Sequence, residues 1–204
     1  MSTYKYYYWK FDAALSHKFC DEVIQYGLQK HDLTGKTGND PRITKKLKKE
    51  RNSNIVWMDD RWIYKEIQPF IHEANRRAGW NLQWDHSESC QFTKYNKGQF
   101  YDWHCDSFPE PYNKPNTLQH GKIRKLSVTC ALSDPSEYEG GEIEFDFRDY
   151  NPTQRKKYPV KSPHKGALKG SVIVFPSFVW HRVRPVKKGT RYSLVIWNLG
   201  YPLR

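Results

Sequence analysis

Four cysteines are spread along the chain, Cys20, Cys90, Cys105 and Cys130, and no two form a C-x-x-C pair. That spacing speaks against a zinc knuckle or a dithiol redox motif, and for free thiols. No apolar run approaches the roughly 18 residues of a membrane helix. The opening MSTYKYYYWKFDAAL lacks the charged-then-apolar pattern of a secretion signal. These absences give the expectation of a soluble, cytoplasmic protein that makes no use of a membrane. Repeats, low-complexity tracts and a clean interdomain linker are also missing. The 204 residues therefore read as one domain, long enough to bury a real core.

Acidic residues are scarce beside basic ones, 22 against 34, for a net charge of +12. Part of the excess is local, in RITKKLKKER (42–51) and RKKYPVKSPHKGALK (155–169). Two solvated loops would account for it. So would an electrostatic platform for an acidic protein or a nucleic acid. Charge alone does not choose between them.

Aromatic residues, by contrast, are plentiful, with 8 Trp, 14 Tyr and 10 Phe. Ser16 can cap a helix in which Phe19, Val23, Ile24 and Leu28 recur at helical spacing. The stretch 36–54 is polar and basic and reads as a mobile loop. Residues 62–78 give a second helix, with Ile63, Ile67, Phe70, Ile71 and Ala74 on one face and Gly79 at its end. The period then falls from 3.6 to 2. Segments 89–95, 99–106, 123–132, 141–147, 170–176, 179–186 and 190–199 are short strand candidates divided by Gly, Pro, Asn and Asp. Helices followed by a run of strands predict an α+β fold. Residues 87–200 would form a double-sheet jelly roll, and residues 1–86 mainly helical support with the basic loop.

Within YDWHCDSF (101–108), His104 and Asp106 stand two apart. On a strand, residues i and i+2 project to one face, so imidazole and carboxylate would converge. A mononuclear non-haem iron site needs two histidines and one carboxylate. The pair His86-Ser-Glu88 competes, but its polar setting reads as a solvated turn. Of the remaining histidines, His17 and His72 fall on the helices, and His31, His120 and His164 in polar loops. His181 lies in a late apolar segment, VFPSFVWHRVRPV. Ten residues on, Arg191 interrupts an alternating apolar strand, where a buried guanidinium needs an anionic partner. A dicarboxylate would supply one through a bidentate pair.

Three longer stretches carry a resemblance: CQFTKYNKGQFYDWHCDS, RKLSVTCALSDPSEYEGGEIEF and GSVIVFPSFVWHRVRPVKKGTRYSLVIW. In this order they resemble the prolyl 4-hydroxylase-like group of iron(II)- and 2-oxoglutarate-dependent oxygenases, in particular the small bacterial and viral PKHD-type hydroxylases. The resemblance covers about half of the chain. It implies a double-stranded β-helix backed by helices. It implies His104, Asp106 and His181 as iron(II) ligands, and Arg191 as the anchor of the distal carboxylate of 2-oxoglutarate. Tyr95 and Thr129 would reach the cosubstrate, and Tyr101, Ile143, Val195 and Trp197 would line the pocket. Dioxygen would be the oxidant and ascorbate the reductant. A proline-containing peptide is the implied substrate, with peptidyl lysine, a free amino acid and nucleic acid as alternatives; a non-catalytic binding module on the same scaffold is the other alternative, disfavoured because all three ligands and Arg191 are present. Base-demethylating relatives carry a second arginine where Trp197 stands, which disfavours nucleic acid. Ala131 stands where many relatives carry a tyrosine, which removes a hydroxyl from the pocket.

Overall fold

The computed structural model describes residues 6–34, 50–146 and 167–202. The basic run at 42–49, most of the run at 155–169 and His164 lie outside them. Two long helices are described, α1 (His17–Thr34) and α2 (Arg61–Arg77), besides a single 3-10 turn at Pro135–Glu137. The Ser16 hydroxyl accepts the Phe19 amide at 3.1 Å and caps α1 as its position suggests. Gly79 takes a positive φ of 70° just past α2, the left-handed turn that favours glycine. Asp60, between the helices, accepts from the Tyr26 hydroxyl at 2.7 Å and from Lys30 at 3.2 Å, which ties α1 to the start of α2.

The strands are β1 (Trp9–Phe11), β2 (Arg51–Asn52), β3 (Asn54–Met58), β4 (His86–Ser87), β5 (Cys90–Tyr95), β6 (Phe100–His104), β7 (Ile123–Ala131), β8 (Tyr138–Gly140), β9 (Ile143–Asp146), β10 (Val172–Pro176), β11 (Trp180–Val183), β12 (Val186–Gly189) and β13 (Arg191–Gly200). The larger sheet runs β1-β10-β7-β13-β5-β3, with β4 beside β13; the smaller runs β2-β6-β11-β9. Every pairing is antiparallel. Together they make the predicted α+β jelly roll.

Five strands, β1 to β4 and β8, escape the sequence reading, β4 within the His86–Glu88 stretch read as a solvated turn. Four of them are only two or three residues long, and the five residues of β3 show no apolar–polar alternation. The end of the expected mobile loop is thus strand: β2 and β3 occupy most of 51–58, and Arg51 pairs with Tyr101. The predicted strand at 179–186 stops at Val183, and Val186 opens a separate strand, β12, which runs on to Gly189.

The helices cover the outer face of the larger sheet. Phe19, Cys20 and Val23 of α1 and Ile63, Ile67, Ile71 and Ala74 of α2 share one buried cluster with Val56, Cys90, Phe92, Val128 and Ile196. Each large apolar side chain buried there contributes about 1.5–3 kcal/mol. Gly27 lets α1 lie close: a Cβ there would come within 2.6 Å of the Phe92 ring. The inner face of the same sheet turns toward the smaller sheet, and the candidate site lies between them.

Candidate active site

His104 ends β6, and His181 is its direct cross-strand partner on β11. Their ring centroids are 4.1 Å apart. The Nδ1 atom of His104 lies 2.8 Å from the Asp102 carbonyl, and that of His181 3.0 Å from the Val179 carbonyl. A carbonyl only accepts, so each Nδ1 carries the proton and each Nε2 presents a bare lone pair. Both point at Asp106: the Nε2 of His104 is 3.7 Å from its Oδ1 and that of His181 3.6 Å from its Oδ2.

Asp106 does not sit on the strand, as the alternation argument supposed. β6 stops at His104, and Asp106 is turned inward by loop hydrogen bonds. Its amide donates to the Ser177 carbonyl at 2.9 Å. Its Oδ2 accepts from the Ser127 hydroxyl at 2.7 Å, and Ser127 also meets the Ser177 hydroxyl at 2.9 Å. Burial raises the Asp106 pKa, but His181, His104, Arg124 and the Ser127 bond outweigh it, and the carboxyl stays below its usual range. Burial, reinforced by His181, lowers the His104 pKa to about 3. Two imidazoles and one carboxylate therefore face one point.

This donor set fits a metal of the iron type. One ligand atom from each residue lies within 4.8 Å of the others. Atoms bonded to a shared ion at about 2.1 Å can be no more than about 4.2 Å apart, and both His–Asp separations satisfy that. Among the described residues no other His, Cys, Asp and Glu group of three or more is so arranged.

Arg191 opens β13 opposite Tyr95 and is only 6% exposed. Its Nη1 donates to the Ser193 hydroxyl at 3.1 Å, and its guanidinium lies 5.5 Å from the Tyr95 ring. No carboxylate among the described residues pairs with it. Burying an unpaired cation is costly, so the position suits an anionic ligand. Gly141 makes room for this side chain: a Cβ there would stand 2.9 Å from the Arg191 Cδ. Tyr95 and Thr129 are buried, and their hydroxyls have no hydrogen-bond partner among the described residues. Burial raises the Tyr95 pKa, so it remains a neutral donor. Thr129 pairs with Val195, which is half-buried, and Val195 faces the same way.

The remaining expected pocket residues differ in placement. Tyr101 stacks on the His104 ring at 3.5 Å between centroids. Ile143 packs with Phe145, Ile173, Phe175 and Val179 between the sheets, and also borders a cleft of about 370 Å³ that reaches Arg191. Trp197 pairs with Ser127 and is buried, its indole nitrogen without a hydrogen-bond partner among the described residues. Ala131 lies opposite Ser193.

Several residues at the site went unseen in the sequence. Ser127 and Ser177 look like ordinary strand filler. Arg51 belongs to the basic run that reads as solvated, yet its guanidinium lies 4.7 Å from the Tyr101 ring, with one nitrogen buried and without a hydrogen-bond partner among the described residues. Glu88, read as part of a solvated turn, is 7% exposed and accepts from Arg124 at 2.6 Å. The Arg124 guanidinium lies 4.0 Å over the Trp197 ring, and Trp57, half exposed, packs against the same indole at 5.9 Å. The result is a cationic and aromatic wall beside the three facing side chains.

Comparison with known proteins bears on this arrangement. The model of the 2OG-Fe(II) oxygenase superfamily matches residues 90–198. A PKHD-type hydroxylase of Pseudomonas fluorescens is 33% identical over 105 residues, 51% of this chain and 40% of that protein. The match thus spans about two-fifths of the relative's length. Among solved structures, a prolyl-4-hydroxylase of Pseudomonas putida is similar at TM-score 0.67 and 17% identity, covering 95% of this chain and 93% of that one. A prolyl hydroxylase from Trichoplax adhaerens, in complex with a peptide fragment of the hypoxia-inducible factor oxygen degradation domain, is similar at TM-score 0.64 and 18% identity, covering 95% and 84%. At these identities the structural likenesses show the fold.

Proposed function

The chain belongs to the 2OG-Fe(II) oxygenase superfamily, and from that premise we propose that it hydroxylates a peptidyl residue, most specifically proline to 4-hydroxyproline. One observation carries the reading: two imidazoles turn bare Nε2 atoms to one carboxylate, and the sheet face turned toward them carries a buried arginine, Arg191, with no carboxylate partner among the described residues. His104, Asp106 and His181 would hold iron(II), and Arg191, with Tyr95 and Thr129 beside it, would hold 2-oxoglutarate. Iron(II), 2-oxoglutarate and dioxygen together supply the oxidising power to place a hydroxyl on an unactivated C–H bond.

The protein's own work is positioning and exclusion of water. The Asp102 and Val179 carbonyls lock both imidazoles in the tautomer that leaves Nε2 free. Ser127 and Ser177 fix the carboxylate. Arg191 sets the depth of the dicarboxylate by a charge-assisted bond. Phe145, Phe175 and Trp197 wall the site with apolar surface.

The peptide reading rests on the relatives and on the wall formed by Arg124, Trp197 and Trp57, which offers flat rings and a cation to an extended chain. Peptidyl lysine and a free amino acid are the competing substrates. The test is turnover: purified protein with iron(II), ascorbate and labelled 2-oxoglutarate, with and without proline-containing peptides, assayed for succinate and for hydroxyproline. The reading expects succinate that rises with peptide, peptidyl 4-hydroxyproline, and loss of both in His104→Ala. Succinate unaffected by any proline peptide would overturn the substrate; none from iron-loaded protein would overturn the activity.

A further inference from the structure

β7 and β13 fall out of step at one residue. Asn198 pairs with Leu126, and the next residue of β13, Leu199, pairs with Arg124, so Lys125 is passed over. A bulge of this kind re-aims side chains. Arg124 joins Ser127 on the side of the candidate active site, while Lys125 enters a cleft of about 630 Å³ that it shares with Asn81, Gln83, Trp84, Asp85 and Tyr201.

Lys125 is only 5% exposed. Its ammonium has no carboxylate and no hydrogen-bond acceptor among the described residues. Burial lowers its pKa, and nothing among the described residues compensates the charge. Asp85, the one acid of the lining, is engaged by Lys122 at 2.7 Å. An unpaired ion buried at the wall of an open cleft is the mark of a site for a counter-charge. One free ammonium balances one negative charge; a doubly charged phosphate would be left half compensated beside Asp85. Asn81 and Gln83 offer neutral amide donors, and Trp84 and Tyr201 offer ring surface.

We propose that this cleft binds a small monocarboxylate with an apolar body, its charge on Lys125 and its body against Trp84 and Tyr201. The site is separate from the pocket around Arg191, and does not depend on the oxygenase reading. It is nevertheless close to the metal centre. The Lys125 carbonyl accepts from the Ser177 amide at 2.9 Å, and the Ser177 carbonyl accepts from the Asp106 amide at 2.9 Å.

Calorimetric titration of the full chain with benzoate tests this, with benzamide and inorganic phosphate as controls. Because benzoate could also meet Arg191, Arg191→Met is titrated in parallel. Saturable benzoate binding that persists in Arg191→Met, weakens at least tenfold in both Lys125→Met and Lys125→Gln, and has no counterpart for benzamide or phosphate is the expected result. Thermal melting of the two Lys125 variants checks that they fold. Benzoate binding that is absent, that is unchanged in the folded Lys125 variants, or that disappears in Arg191→Met would overturn the proposal. Tighter binding of phosphate than of benzoate would also overturn it.

Discussion

On the face of the larger sheet that meets the helices, β5 presents Cys90 and Phe92, β7 presents Leu126, Val128 and Cys130, and β13 presents Leu194 and Ile196. On the opposite face the same three strands present Gln91, Thr93 and Tyr95, then Ser127 and Thr129, then Arg191 and Ser193. Both faces are buried. The first spends its burial on packing and holds the fold. The second accepts the cost of buried hydroxyls, an amide and a guanidinium, which a structural core would replace with hydrocarbon. A buried polar face is therefore where ligand chemistry is to be sought, and the three facing side chains of the smaller sheet and its loop lie over it.

The contrast can be broken from either side. Asp106→Ala should abolish turnover and iron(II) binding while moving the melting temperature little, because it removes a buried charge and no packing; equilibrium dialysis and thermal melting read the two effects. Ile67→Ala should do the reverse. It should cost about 2–5 kcal/mol of stability in denaturant unfolding and leave iron(II) affinity unchanged. Arg191→Met should raise the KM for 2-oxoglutarate roughly thirtyfold, equivalent to about 2 kcal/mol for a lost buried ion pair, with less effect on kcat at saturation. Ser127→Ala should weaken iron(II) binding roughly tenfold, the lower end of what an outer hydrogen bond to a ligand contributes. The smallest effect is on the metal-free protein in acid. Burial lowers the His104 pKa to about 3, so below about pH 6.5 the unfolded chain takes up a proton that the folded one refuses. His104 therefore costs stability progressively as pH falls from about 6.5 toward 3. His104→Gln should flatten that part of the pH–stability curve.

The sequence made parts of this legible for physical reasons. Long helices with one apolar face leave a periodic trace, and runs of β-branched and aromatic residues between turn formers mark the longer strands, so α1, α2, β5, β7, β10 and β13 were all found. His104, Asp106, His181 and Arg191 stood out because imidazoles and a guanidinium are costly in apolar strands unless something uses them. What stayed hidden depends on register. Ser127 matters only because β7 sets it beside Asp106. Glu88 looked solvated until β7 placed Arg124 beside it. Lys125 looked like any strand lysine until one skipped pairing turned it into a cleft. The pairing of Arg51 with Tyr101 likewise rests on two residues of strand, too few to carry a period.

The central claim is that His104, Asp106 and His181 form one metal site served by the Arg191 pocket. Anaerobic titration of iron(II) into the protein, followed by 2-oxoglutarate and read by calorimetry and visible absorption, tests it most directly. One ion per chain should bind, and 2-oxoglutarate should then bind with a metal-to-ligand charge-transfer band that is lost in His181→Ala and weakened in Arg191→Met. Wild-type protein that takes up no iron(II), or that shows the same band in His181→Ala, would contradict the account.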